Sequence, residues 1–205
     1  DGMKDRKILE IRDVTYTYDG EELPVWEHLS CCFYEGKIHA VSGPSGCGKS
    51  SVLSLIDGLI PHMYEGELKG NVLLRGEDIT GTLPRYRCDR MGFVMQNPES
   101  QFCTFTVEEE LAFGMENMGL PEEEIRRRIR EILSFIGLSG YEKTELDKLS
   151  GGQKQKIAIA SVLVMKPEIL LLDEPTANLD PESRAQIFRM IVRISREEHM
   201  TVIIV

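Results

Sequence analysis

"KIHAVSGPSGCGKSSVLSLI" (Lys37–Ile56) is the stretch from which the architecture can be read. Its centre, Gly43–Ser50, fills every fixed position of G-x-x-x-x-G-K-[ST]. That pattern has a physical meaning only between a strand and a helix, and both flanks supply the context. "KIHAVSG" reads as a short apolar strand. "KSSVLSLIDGLI" reads as a helix, with Val52, Leu55, Ile56 and Leu59 at helical spacing. Glycines here let backbone N–H groups turn inward around a chain of phosphates, and the helix adds the positive end of its dipole. Lys49 is placed to meet β and γ oxygens, and Ser50 to ligate Mg²⁺. A glycine-rich turn with no ligand is the competing reading, and the filled positions count against it.

A partner for this loop lies far along the chain. "ILLLDEP" (Ile169–Pro175) reads as a strand buried on both faces, with Asp173 at its carboxyl end, where open α/β sheets hold their ligands. Asp173 suits Mg²⁺ held through water, and Glu174 is a candidate general base for water attacking a γ-phosphate. Two adjacent carboxylates alone would more often be turn residues. The phosphate loop in the same chain reverses that preference.

A second anion-ready device is "LSGGQKQK" (Leu149–Lys156). Ser150 and Gln153 have capping-box spacing at a helix start. Gly151 and Gly152 each cost roughly 1 kcal/mol relative to Ala in a helix. The expectation is that both leave bare N–H groups facing outward, so that something can approach the backbone closely.

The rest of the chain fits around these motifs. "ILEIRDVTYTY" (Ile8–Tyr18) alternates β-branched and aromatic residues, so it reads as a strand, and residues 20–36 read as a hairpin region returning through a second one. "GNVLLRGEDIT" is a further β-rich patch. Thr106 and Glu109 mark another helix start by capping-box spacing. "PEEEIRRRIREILSFIGL" carries one apolar stripe of Ile125, Ile129, Ile132, Leu133 and Ile136. Its Glu122–Arg126, Glu123–Arg127 and Glu124–Arg128 pairs stand at i,i+4, so the arginines read as a solvated face rather than a binding patch. "QKQKIAIASVLVM" and "PESRAQIFRMIVRISREEHM" read as helices, and "TVIIV" as a last buried strand. Strands alternating with helices imply a mostly parallel sheet.

Bulk properties narrow the function classes. The chain has 205 residues and a formal net charge of -10. That charge disfavours nucleic acid, whose phosphates are bound by summed Lys and Arg. No apolar run approaches the ~20 residues that span a bilayer, and no secretory signal pattern opens the chain. The cysteines, Cys31, Cys32, Cys47, Cys88 and Cys103, form no C-x-x-C pair, so zinc is disfavoured and a reducing, cytosolic compartment is implied. Cys47 sits inside the phosphate loop with no His in view to activate it as a catalyst.

"LSGGQKQ", together with the phosphate loop and "ILLLDEP", resembles the nucleotide-binding domains of ABC transporters, and the resemblance covers essentially the whole chain. It implies an α/β fold: a P-loop NTPase core with a mostly parallel sheet, an N-terminal antiparallel β subdomain and an α-helical subdomain inserted over about 97–150. It implies one ABC ATPase domain over 1–205, C-terminally truncated, that binds ATP and Mg²⁺. In that family two domains pack head to tail, and each signature helix closes over ATP held by the other. By the resemblance, Gly43, Pro44, Ser45, Gly46, Cys47, Gly48, Lys49, Ser50 and Ser51 hold the nucleotide, while Ser150, Gly151, Gly152 and Gln153 cap it from the partner domain. Gln96, in "FVMQNPESQF", matches the glutamine that senses Mg²⁺ and the attacking water, and Asp173 and Ser50 complete the metal site. Glu174, Gln96 and Lys49 are the catalytic candidates.

Tyr18 matches the aromatic that stacks on adenine, with Tyr16 on the same strand face as the competing ring. "ANLD" (Ala177–Asp180) matches the segment at the domain–domain contact. The family's switch histidine falls just beyond "TVIIV". His199 precedes that strand and reads as a surface residue, so these residues alone are expected to turn ATP over weakly.

A finer resemblance lies in "QNPESQFCTFTVEEELAFGMENMGLP", which is similar to the ATPases of energy-coupling-factor importers of vitamins or transition-metal ions. "GLIPHMYEGELKGNVLLRGEDI" is similar to the first half of their tandem ATPases. The implied partners are a second ABC ATPase domain and integral membrane subunits reached through the helical subdomain, at the cytoplasmic face of the membrane. DNA-maintenance ATPases share both phosphate devices but insert a long coiled coil or zinc modules between them. Translation-factor ATPases need basic RNA-facing segments, and a non-catalytic nucleotide-gated module would not need Glu174.

Overall fold

The computed structural model describes residues 6–205. Strand β1 (Lys7–Tyr18) pairs antiparallel with β2 (Trp26–Tyr34) on one side and β4 (Gly66–Leu74) on the other, and β5 (Glu77–Asp78) extends the sheet beyond β4. The second sheet is parallel throughout, in the order β3 (Ile38–Ala40), β8 (Thr201–Ile204), β7 (Ile169–Leu172) and β6 (Met91–Val94). The chain is therefore α/β, with an antiparallel sheet beside a parallel one. Strand β6 is not expected from its residues. "MGFV" carries no alternation, and it is a strand because β7 offers it a ladder.

β7 shows why the order holds. All four of its side chains are fully buried. Ile169 and Leu171 face the core built from β1, β4 and helix α1 (Lys49–Asp57). Leu170 and Leu172 face the core shared with helices α3 (Val107–Asn117), α4 (Glu122–Ile136), α5 (Gly151–Leu163) and α6 (Pro181–Glu197). One strand divides two cores, so every residue must be apolar.

Between 97 and 150, α3 and α4 are closed by residues 142–146, which run beside 105–108 through Val107 N–H to Thr144 O (3.0 Å) and Leu146 N–H to Phe105 O (2.9 Å). Thr106 and Glu109 form the expected capping box. The α4 stripe is buried at Ile125, Ile129, Leu133 and Ile136. The expected Glu123–Arg127 pair is replaced: Arg127 binds Glu124 and Glu131, both at 2.7 Å. Arg128 bonds Glu124 and also caps the end of α5 through Val164 O at 2.7 Å.

The helix expected over 49–60 is interrupted. Gly58 (φ 90°) ends α1, and a short turn, α2 (Leu59–His62), follows. A Cβ at Gly58 would lie 2.8 Å from Nε of Arg87. That guanidinium is buried and donates to the α1 carbonyls of Leu55 (3.2 Å) and Ile56 (2.8 Å) and to Thr82 O (2.9 Å). Arg87 thus satisfies the orphan carbonyls at the end of the phosphate-loop helix.

Beside it, burial pushes the Asp57 carboxyl up to about 6, with Arg87 opposing. A raised carboxylate keeps its proton in the folded chain while the unfolded chain releases it. Its contribution is therefore most favourable below about pH 4 and is lost as pH rises through about 6, by on the order of 3 kcal/mol. Asp57→Asn is expected to remove this slope. Urea unfolding at pH 5 and 7.5 checks it; a variant-to-wild-type difference independent of pH would contradict the assignment.

Candidate functional site

The phosphate loop leaves the carboxyl end of β3 and enters α1 through Gly46 (φ 79°) and Gly48 (φ 86°). Gly48 is required for a second reason. A Cβ there would stand 2.5 Å from Val25 Cγ1 and 2.7 Å from Trp26 Nε1, and Trp26 Nε1 donates to Gly48 O at 3.3 Å. Val25 and Trp26 therefore hold the loop from the antiparallel sheet, a role that no local sequence pattern announces. Lys49 Nζ donates to Gly43 O and Pro44 O, both at 2.8 Å, inside its own loop.

The distant residues converge on this loop. Ser50 Oγ donates to Asp173 Oδ1 at 3.0 Å, across 123 residues of chain. Burial pushes the Asp173 carboxyl up, and the Ser50 hydroxyl opposes the shift. Gln96 Nε2 donates to Glu174 Oε2 at 2.6 Å. Glu174 has φ 44°, a left-handed conformation that costs a non-glycine residue on the order of 1 kcal/mol. Asp173 N–H is held by Val94 O (3.0 Å) and Glu174 N–H by Val205 O (3.1 Å), so both carboxylates ride on the strand ends.

A cavity of 610 Å³ lies against this group, lined by Tyr18, Val25, Gly46, Lys49, Ser51 and Glu174 among others. Ser45, Gly48 and Ser50 also line it. Tyr18 and Tyr16 separate here. Tyr16 is fully buried, its hydroxyl donating to Tyr64 O at 2.8 Å and pushed up to about 12 by burial. Tyr18 lies at the strand end, half-buried, with its hydroxyl 3.0 Å from Ser51 Oγ. The edge of one ring meets the other at 4.9 Å between centroids. Only Tyr18 presents a ring to the cavity.

The donor set of Ser50, Asp173 and Gln96 is hard oxygen, which suits Mg²⁺. Among the described residues no group of three or more His, Cys, Asp or Glu could hold a metal by itself. A Mg²⁺ site of this kind takes most of its ligands from phosphates and water, so Ser50, Asp173 and Gln96 would suffice from the protein.

Ser150 caps α5 in a complete capping box: its hydroxyl accepts from Gln153 N–H (3.2 Å), and Gln153 Oε1 accepts from Ser150 N–H (2.9 Å). Residues 150–153 do not line the 610 Å³ cavity. The two glycines differ, which corrects the expectation that both face outward. Gly151 is exposed, and a Cβ there meets only Leu179 at 3.5 Å, an ordinary contact. Gly152 is buried, and a Cβ would sit 2.6 Å from Ser183 Oγ and 2.9 Å from Ser183 Cβ. Packing against α6 explains Gly152; only Gly151 leaves its backbone open to an approaching group. Gly152→Ala is expected to cost about 1–3 kcal/mol through overpacking. Gly151→Ala, whose Cβ meets no obstruction, should instead raise stability by up to about 1 kcal/mol. Thermal unfolding of the two variants checks the contrast, and equal losses would overturn it.

Asp180 caps α6 through its carboxylate, which accepts from Ser183 N–H at 3.0 Å. His199 is exposed, ahead of β8 and away from the residues above.

Comparison with known proteins adds four findings. The family described as "ABC transporter" matches residues 26–177. A Streptomyces coelicolor protein, provisionally named an ABC transporter ATP-binding protein, is 42% identical over 196 residues, 96% of this chain and 35% of its own length. A Pyrococcus horikoshii protein with the same provisional name is 40% identical over 198 residues, 97% of this chain and 70% of its own. This chain therefore spans about a third of the first relative. Among solved structures, cbiO1 from Clostridium perfringens, described as part of the ABC transporter complex cbiONQ, superposes with a TM-score of 0.87 at 32% identity, covering 98% of this chain and 78% of that one.

Proposed function

We propose that this chain, which belongs to the ABC transporter family, is an ATP-binding and ATP-hydrolysing unit that powers import across a membrane by pairing head to tail with a second domain of its kind. The observation that carries this reading is the convergence of Lys49, Ser50, Gln96, Asp173 and Glu174 at one end of the parallel sheet. Tyr18 stacks on the base at the cavity's edge. The loop N–H groups between Gly43 and Ser50 and the Lys49 ammonium hold the phosphates. Ser50, Asp173 and Gln96 would hold Mg²⁺, which would supply charge stabilisation on the transferred phosphoryl group. Gln96 positions the attacking water, and Glu174 accepts its proton.

Head-to-tail pairing is supported by the separation of the two anion-ready devices. A helix end with an exposed glycine, capped by Ser150, stands outside the cavity of its own chain and so is free to close another's. ATP would favour the closed pair, and its hydrolysis would release it.

A groove of 310 Å³ supports contact with membrane subunits. Phe102, Phe105 and Leu146 line it among charged residues that include Glu99, Asp147 and Lys154, and Phe105 is 85% exposed. Among the described residues no helix is long and apolar enough to cross a membrane, so the translocation path belongs to partners in this reading. The likeness to cbiO1 favours an importer of the energy-coupling-factor type, with this chain at the cytoplasmic face. The test is ATP-dependent phosphate release by the full-length protein, together with its mass by light scattering with and without ATP. Turnover with ATP-dependent pairing is the expected result, and turnover by a strict monomer would overturn the head-to-tail reading.

A further inference from the structure

We propose that Ser51 joins the two ends of the nucleotide site: its hydroxyl accepts a hydrogen bond from Tyr18 and donates its own to a phosphate oxygen, so that base platform and phosphate grip are set together. This role rests on the reading of Tyr18 as the base platform given above. The Tyr18 hydroxyl lies 3.0 Å from Ser51 Oγ, across 33 residues of chain, and both residues line the 610 Å³ cavity. Ser51 stands in the first turn of α1, directly after Lys49 and Ser50, and so at the phosphate end. The direction of the bonds follows from what each group can do. Phosphate oxygens only accept, whereas a serine hydroxyl has one proton and two lone pairs. A phosphate beside Ser51 therefore takes its proton and leaves Tyr18 as the donor within the pair. Two such bonds in a chain polarise and strengthen each other.

The Tyr18 ring has a second hold on the same loop. It meets Tyr16 at 74° between ring planes, and Tyr16 packs on Trp26 at 5.9 Å between centroids. Trp26 Nε1 in turn donates to Gly48 O at 3.3 Å. Two routes thus lead from the platform to the phosphate loop, one through two rings to Gly48 and one through a hydroxyl to Ser51. Gly48 and Ser51 flank Lys49 and Ser50, the residues that grip phosphate and metal in this reading. A ring held by Tyr16 alone is free to tilt. Fixing it then costs side-chain freedom each time a base arrives. The Ser51 bond removes that cost before the ligand enters, and it does so only for ligands that carry a base. Ser51 is in this sense a positioning residue that separates nucleoside triphosphates from bare triphosphate.

The experiment titrates full-length protein by calorimetry with ATP and with tripolyphosphate, each with Mg²⁺. Tyr18→Phe keeps the ring, and it is expected to weaken ATP about fivefold while tripolyphosphate stays within about twofold. Ser51→Ala removes both bonds, so ATP should weaken about twentyfold and tripolyphosphate only about fivefold. Adding Tyr18→Phe to Ser51→Ala should cost ATP no more than about a further twofold, because the shared bond is already gone. Ser51→Thr, which keeps the hydroxyl, should stay within about threefold of wild type for both ligands. A loss of ATP affinity below about twofold in Tyr18→Phe, equal losses for the two ligands in that variant, or losses that multiply in the double variant would each overturn the proposal. So would a folded Ser51→Thr as weak as Ser51→Ala. If Ser51→Thr melts early, the cycle of Tyr18→Phe with Ser51→Ala decides alone. Wild-type protein that bound ATP no more tightly than tripolyphosphate would count against base stacking by Tyr18 itself, a result distinct from failure of the Ser51 link.

Discussion

Glu174→Gln is expected to lower the ATP hydrolysis rate by about 10²–10⁴-fold while leaving nucleotide binding intact, and to leave the ATP-bound pair closed. The amide has nearly the shape of the carboxylate, and its oxygen can still accept the bond from Gln96 that Glu174 Oε2 now takes at 2.6 Å. What it lacks is basicity. The strained backbone at this position, φ 44°, holds the side chain at the strand end whichever group it carries, so the substitution removes a proton acceptor without moving the scaffold. Phosphate release and light scattering on the same sample check both halves. A rate within about tenfold of wild type would take the general-base role away from Glu174. A dead enzyme that also failed to pair would point to a damaged site rather than a missing base.

The parts of this site that depend on neighbouring residues are legible in the sequence itself. The loop from Gly43 to Ser50 announces itself because phosphate binding needs glycines, a lysine and a hydroxyl at set intervals. "ILLLDEP" announces a strand buried twice over, ending in carboxylates. Capping boxes at Thr106 and Ser150 are four-residue events, and both form with their reciprocal bonds. What the sequence hides is what only folding brings together. Val25 and Trp26 press on Gly48 from more than twenty residues upstream. Gly152 is small because Ser183, on another helix, occupies its side-chain space. Gly58 ends its helix beneath an arginine that lies some thirty residues ahead. Tyr16 and Tyr18 share a strand face, so alternation cannot rank them. Depth along the strand does, with Tyr16 covered by Trp26 and the Tyr64 backbone while Tyr18 reaches the rim.

Lys49→Ala is expected to weaken ATP binding roughly 100-fold, which corresponds to losing one or two charge-assisted hydrogen bonds. In the structure the ammonium donates to Gly43 O and Pro44 O. Carbonyl oxygens orient it but neutralise no charge, so its positive charge remains available to phosphate oxygens. The same two bonds fold the loop back over its own lysine. An arginine does not reproduce the arrangement, because its planar fork spreads its donors and its charge where the lysine brings both to one point. Lys49→Arg is therefore expected to remain at least about tenfold weak despite keeping the charge. Because Lys49 reaches only its own exposed loop, thermal stability should change little, which separates lost binding from lost folding. Titration calorimetry with ATP, alongside a thermal melt, checks the pair of variants. Affinity within about fivefold of wild type for Lys49→Ala would mean that the backbone alone holds the phosphates, and that the lysine is there to shape the loop.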